Sequence, residues 1–234
     1  MAPAPAAAEA VLQVAPEMRE VAREGRAAIR RSVEHIVKSG VRQIIDIGSG
    51  LPTGENVHDI AHAIDPSVRV VYVDLDDVVV IHGRALLSSP RTAMIRGDVC
   101  DPSPLLNDPE LRALIDLGRP VGVLMMYLLH LIPDTAGPQA AVAQLRDALA
   151  PGSMLSITHA ANDRRPEYVA RISAIYARAN QPFTPRGKDE IAAFFGDWEL
   201  EEPGLVNVWP YRTPPPAMNP ELLDLGYSSV AVKR

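Results

Sequence analysis

Three carboxylates and two histidines stand where a ligand site needs them. Asp46 precedes two glycines in the run Asp46-Ile47-Gly48-Ser49-Gly50-Leu51-Pro52, Asp74 follows Gly50 by 24 residues, and Asp98 closes a further apolar run. Glycines at the end of a strand let a ligand approach the backbone, and the helix that follows offers unpaired amides and its positive dipole end. Pro52 stands where the dinucleotide fingerprint G-x-G-x-x-G would continue, so the pattern departs from a nicotinamide site. An acid ahead of the glycines suits a ligand with an ammonium group. S-adenosylmethionine carries one and NAD does not. Asp74 lies near the spacing of an acid that accepts from ribose hydroxyls, and Asp98 is placed to accept from an adenine amino group. Each acid also has a plainer reading as a helix cap, as Asp76 or Asp77 would be for a helix starting at Val78 and Asp101 for the next one.

His130, in YLLHLIPD, and His159, in SITHAAND, close the fourth and fifth apolar runs. An imidazole with its ordinary pKa of about 6.5 holds and releases a proton near neutrality, so either ring is a candidate base toward an acceptor hydroxyl. The plainer reading is a buried histidine bonded to a loop carbonyl. His58 and His62 have the i, i+4 spacing of metal ligands, yet no H-E-x-x-H pattern or third ligand accompanies them, and no metal site is expected. Gly48-Ser49-Gly50 is not a G-x-S-x-G nucleophile elbow.

These groups need a scaffold, and 234 residues with 47% hydrophobic content are enough for one sizeable core. A net charge of -6 argues against a nucleic-acid partner, because phosphate contacts need a basic face. Cys100 is the single cysteine, which excludes an intrachain disulfide framework and fits a reducing cytoplasm. No apolar run is long enough to span a membrane. The opening MAPAPAAAEA has no basic n-region, so residues 1–15 are expected to be a disordered lead-in and 16–234 a single domain.

Apolar spacing predicts a long amphipathic helix over 16–38, with a break near Gly25, leading into a strand at Ile44–Ile47. After the glycine turn come a crossover helix at 56–64, a strand at 68–76, a helix at 78–87 and a strand at 92–99. A helix at 105–117 precedes 121–130, the most continuously apolar run and hence a central strand. A helix at 138–149, a strand at 153–160 and helices at 166–179 and 188–195 follow, the last two joined by QPFTPRG. The segments WELEEPGLVNV and YSSVAVKR close the chain as candidate strands, with the prolines at 214–216 in the loop between them. Repeated βα units imply parallel strands with right-handed crossovers and helices on both faces, and the last two segments are expected to pair antiparallel at an edge. Tyr168, Tyr176, Phe183 and Trp209 are the aromatics available to wall an acceptor.

DIGSGLPT followed by NVH, then RVVYVDLDDVVVIHGRALL, LLHLIPD, VAQLRDALAPGSMLSITH and EPGLVNVWPYR together resemble an actinobacterial family of S-adenosylmethionine-dependent methyltransferases, long catalogued as a domain of unknown function. The resemblance implies a Rossmann-like α/β class I methyltransferase fold, a seven-stranded sheet ordered 3-2-1-4-5-7-6 with strand seven antiparallel. It implies S-adenosyl-L-methionine as cofactor, with Asp46, Gly48 and Gly50 around the methionine moiety, Asn56 beside the glycine loop, Asp74 at the ribose, and Asp98 with Val99 at the adenine. Ser49, Leu75 and Tyr127 complete the expected contacts. The YLLHLIPD segment is similar to that of small-molecule O-methyltransferases, in which the histidine deprotonates the acceptor, so His130 would inherit that role. Relatives carry a Tyr- and Gly-rich segment upstream of the long helix where this chain has MAPAPAAAEA. A small-molecule acceptor is the expectation, and the oligomeric state is left open, a homodimer included. Two rivals remain: a regulator that binds the cofactor without turnover, and an enzyme using it as a cationic scaffold for a non-methylating rearrangement.

Overall fold

The computed structural model describes residues 18–52, 54–87, 89–207 and 225–234, the side chains of 18–22 excepted. The expected lead-in at 1–15, Trp209 and the prolines at 214–216 lie outside that range.

All five residues of β1 (Gln43–Ile47) are buried. β-branched side chains suit a strand covered on both faces, and here Ile44 packs into one core layer while Ile45 and Ile47 pack into the other. Burying one such side chain contributes about 1.5–3 kcal/mol. β1 pairs in parallel with β2 (Arg69–Asp74), which pairs in parallel with β3 (Thr92–Arg96). On its other side β1 meets β4 (Gly122–Met126), and β4 meets β5 (Met154–Ala160), both in parallel. Two short pieces, β6 (Glu199–Leu200) and β7 (Val206–Asn207), pair antiparallel with β8 (Gly226–Val232), which itself runs antiparallel to β5. The order is β3-β2-β1-β4-β5-β8-β6, with β7 also on β8. This is the expected class I arrangement, with its sixth strand cut in two around Pro203 and Gly204.

One face is covered by α1 (Met18–Lys38), α2 (Val57–Ile64) and α3 (Asp77–Leu86), through Val33, Ile36, Ile60, Val79 and their neighbours. The other face carries α4 (Pro102–Leu106), α5 (Pro109–Leu114) and α6 (Pro138–Asp147), through Leu105, Leu111, Val142 and Leu145. α7 (Pro166–Arg178) follows β5 and buries Val169, Ile172 and Ile175. α8 (Lys188–Ala192) sends Ile191 into the second layer. No helix among the described residues is long and apolar enough to cross a membrane.

The structure corrects four sequence expectations. The helix expected over 105–117 is two helices, because Pro109 has no amide to donate and holds Asp108 in extended backbone, φ -60° and ψ 128°. α1 runs unbroken through Gly25. The strand expected over 121–130 stops at Met126, since Tyr127 turns out of it with φ 57°, and His130 rides on the 3-10 turn Leu129–Leu131. β2 and β3 end at Asp74 and Arg96, short of the expected 76 and 99.

Candidate active site

The glycine turn is tied down from β2. The amides of Gly48 and Ser49 both donate to the Val73 carbonyl, at 2.8 and 3.2 Å, and the Gly50 amide donates to Asp74 Oδ2 at 2.9 Å. Three backbone amides of the turn therefore hold the loop itself. Gly48 and Gly50 sit at φ 74° and 67°, a region that side chains rarely adopt. At Gly48 an added Cβ would also lie 2.6 Å from Leu128 Cδ1, whereas at Gly50 it would meet nothing within 4 Å. The turn is thus closed toward the core and open above Gly50. Asp74, 1% exposed, accepts from the Asp76 amide through Oδ1, and Asp76 in turn caps α3 by accepting from Val78 N–H.

Above the turn lies a cavity of about 550 Å³. Asp46, Ser49, Gly50, Glu55 and Asn56 border it from the glycine-turn side, and Gly25, Arg26 and Ile29 of α1 border it as well. His130, Leu131, Val169, Ile172, Tyr176 and Phe183 form an apolar wall with one polar ring. Tyr176 and Phe183 stack at 4.7 Å, and Phe183 meets His130 edge-on at 5.6 Å. Asn56 stands at the N-terminus of α2, where the Asp59 carboxylate accepts from both its backbone and side-chain amides. Arg30 of α1 pairs with Glu55, joining that helix to the loop.

Three groups bordering this cavity lack the partners that buried polar atoms ordinarily have. Asp46 is buried, and among the described residues none donates a hydrogen bond to it; burial, with Asp74 close by, pushes its carboxyl up to about 7. The Ser49 and Tyr127 hydroxyls are buried without a hydrogen-bond partner among the described residues. Tyr127 lies in a notch of α1, where a Cβ on Gly25 would stand 2.6 Å from its Cε2. A buried carboxylate short of a counter-charge and two buried hydroxyls without partners fit a cationic, hydrogen-bonding ligand, and S-adenosylmethionine is one.

The structure brings Asp46, Ser49, Gly50, Asn56, Tyr127 and His130 together around the cavity, while Gly48 is engaged beneath it against Leu128. Asp74 braces the turn from below. Leu75 is half-buried at the end of β2, Val99 is buried after β3, and Asp98 Oδ1 accepts from the Cys100 amide at 2.8 Å; none of the three borders the cavity. Asp101, not Asp98, occupies the N-cap position of α4. His159 is fully buried behind His130 at 5.4 Å, its Nδ1 bonded to the Ala160 carbonyl and its Nε2 to Arg186. Tyr168 is not a cavity residue. His58 Nδ1 pairs with the Tyr72 hydroxyl and His62 Nε2 with the Val68 carbonyl.

Arg186 was not legible as a site residue. It lies in the QPFTPRG joint, 3% exposed, and its guanidinium binds the Leu129 and Ile132 carbonyls, Asp134 and His159 Nε2 at 2.7–3.1 Å. The available signal was a lone arginine in a proline-rich joint just after the acceptor-wall helix.

Known proteins share this fold. A family model described as S-adenosyl methyltransferase matches residues 4–234. A crystal structure of a candidate methyltransferase from Thermobifida fusca YX is 35% identical, with TM-score 0.89 over 98% of this chain and 87% of that one. A DUF574 family protein from Streptomyces avermitilis is 34% identical, with TM-score 0.90 over 97% and 89%. At the level of fold alone, the Burkholderia thailandensis 1,6-didemethyltoxoflavin-N1-methyltransferase, solved with its substrate and S-adenosylhomocysteine, aligns at 17% identity with TM-score 0.55, covering 100% of this chain and 92% of that one. No curated protein matches. With the family model matched over residues 4–234 and the sheet order in agreement, this chain belongs to the S-adenosyl methyltransferase family, a class I methyltransferase whose cofactor is S-adenosyl-L-methionine.

Proposed function

We propose that this enzyme methylates a small organic molecule, with oxygen as the receiving atom, in secondary metabolism. The observation that carries this reading is the cavity that runs from the glycine turn to an apolar wall containing His130. Its volume, about 550 Å³, is in the range of small-molecule pockets and suits a cofactor with a modest ring beside it, not a polymer.

When bound, S-adenosylmethionine supplies a methyl group already activated on positive sulfur. Asp46, Ser49, Gly50, Asn56 and Tyr127 would hold its methionine end from the cavity, with Gly48 and Asp74 bracing the turn beneath them; Leu75, Asp98 and Val99 lie outside the cavity and have no contact with the cofactor in this reading. Asp46 contributes negative charge in a dry setting, where it acts on a cation far more strongly than in water. Ile172, Tyr176 and Phe183 exclude water and present flat surfaces for a ring. His130 is the polar side chain that meets the acceptor, and His159 supports it from behind. Holding acceptor and methyl group in line is the main task, since orientation alone can supply several kcal/mol of barrier reduction.

The test is mass spectrometry of a metabolite extract incubated with the protein and deuteromethyl-labelled cofactor. Label is expected on a compound of low molecular mass. Label confined to macromolecules, or cofactor binding by calorimetry with no transfer to any component, would overturn the reading.

A further inference from the structure

The hydrogen bonds around His130 fix which ring nitrogen carries the proton. The Ala160 backbone amide donates to His130 Nδ1 at 3.3 Å. A ring nitrogen accepts an N–H only when it is unprotonated, so the neutral ring carries its hydrogen on Nε2. Among the described residues nothing accepts from Nε2, and the ring borders the cavity.

The surroundings keep that state in place. Arg186 grips the turn on both sides of His130, donating to the Leu129 carbonyl at 2.8 Å and the Ile132 carbonyl at 3.0 Å. The Thr184 amide donates to the His130 carbonyl at 2.7 Å. His159, bonded to Arg186 through Nε2, lies against the His130 ring. Burial first, then His159 and Arg186, hold the His130 imidazolium out of reach near neutrality. Taking a proton on Nε2 would require either that cation or a shift of hydrogen onto Nδ1, where it would face the Ala160 N–H.

We infer that His130 meets the acceptor as a hydrogen-bond donor through Nε2–H, and that the acceptor arrives ionised, as a carboxylate or the anion of an acidic enol or phenol. This departs from the base role expected of it from the sequence. No proton has to be removed: the anionic oxygen's lone pair forms the bond to the methyl carbon, the carbon–sulfur bond breaks with its pair left on sulfur, and opposite charges cancel. His130 keeps its hydrogen throughout and orients the oxygen. Arg186 is then a positioning residue, acting through the turn and through His159.

The role rests on the methyl-transfer reading, but the protonation state does not, so the two fail separately. Long-range proton–nitrogen NMR of the protein labelled with 15N-histidine reads the tautomer of each of the 6 histidines with no ligand present, and His130→Gln assigns the His130 signals by their loss. The Nε2–H tautomer at pH 7 is the expected result, and an Nδ1–H or doubly protonated ring overturns the proposal; should His130→Gln not fold, contacts from the His130 ring to the Phe183 and Tyr127 rings assign the signals in the wild type. On whatever compound takes up labelled methyl, His130→Gln, which keeps a donor and cannot act as a base, should remain within about tenfold of wild type, and His130→Ala should fall about a hundredfold. Equal loss in both variants would also overturn it.

Discussion

Asp46 is held in a state that costs the empty protein stability. Its carboxyl is raised from 3.8 to about 7 by burial and by Asp74, so the folded state binds a proton that the unfolded chain has released. A group of this sign stabilises fully below the unfolded pKa and loses that contribution as pH rises toward the folded value, on the order of 4 kcal/mol as an upper bound. Asp46→Asn should therefore raise the melting temperature by several degrees at pH 8 and by much less at pH 5. The same variant should weaken S-adenosylmethionine binding at least tenfold. Differential scanning calorimetry and titration calorimetry check the two halves, and a lower melting temperature at pH 8 would contradict the first. Tyr127 carries a related expectation, because a buried hydroxyl with no partner costs about 1–3 kcal/mol. Tyr127→Phe should stabilise the ligand-free protein by about 1 kcal/mol and lower cofactor affinity roughly fivefold. Unchanged affinity would remove the hydroxyl from the site.

Among the elements, α1 is where local preference and packing disagree. Replacing a helical glycine with alanine ordinarily gains about 1 kcal/mol, yet at Gly25 the new Cβ would press on the Tyr127 ring at 2.6 Å. Tyr127 stands in left-handed backbone at the end of β4 and has little freedom to retreat. Gly25→Ala should consequently lower stability by about 1–3 kcal/mol and blunt cofactor binding, measured by denaturant melts and titration; a gain in stability would show that the notch is not tight. The helix itself was legible from its apolar period, and the expected break was the wrong inference from a correct observation, since the glycine serves contact with Tyr127 and not a bend. Likewise β1 and the glycine turn were legible because they obey short-range rules, whereas Asp74 and Asp98, read as ligand acids, accept from the Gly50 and Asp76 amides and from the Cys100 amide. The 3-10 turn under His130 was not. It exists because Tyr127 leaves the strand and Arg186, 59 residues after it in the chain, binds the turn's carbonyls, and no local pattern encodes a contact of that separation. The split of 105–117 was in principle readable from Asp108-Pro109, where apolar spacing outweighed a proline that forbids the preceding residue a helical conformation.

At the scale of the whole molecule, two buried histidines set the acid limit. His159 is lowered to about 4 by burial, with Arg186 adding to the effect, and His130 is lowered well below 6.5. Between about 4 and 6.5 the unfolded chain binds protons that the folded state refuses, so stability falls as pH falls through that window, by about 3 kcal/mol for His159 alone. Asp46 works in the opposite direction over much of the same range. Melting temperature against pH should thus fall more steeply toward acid in Asp46→Asn than in wild type, and less steeply when His159→Gln is added; parallel curves would refute the assignment. The parallel, doubly wound sheet was legible from βα alternation and its strand order from the resemblance to the family, but the halved sixth strand was not, because its two short pieces take their strand pairing from β8, distant in sequence.

That dependence on β8 also decides what guards the sheet against its own copies. Residues 226–232 lie between β5 on one side and β6 with β7 on the other, so β8 is an interior strand of the sheet and shields β5 from solvent. Without β8, β5 would be a bare edge with seven residues, Met154 to Ala160, awaiting pairing, which is the surface on which sheets of separate copies join one another. A chain cut ahead of Gly226 should therefore self-associate where a chain carrying residues 226–232 does not, through the β5 edge that β8 otherwise covers.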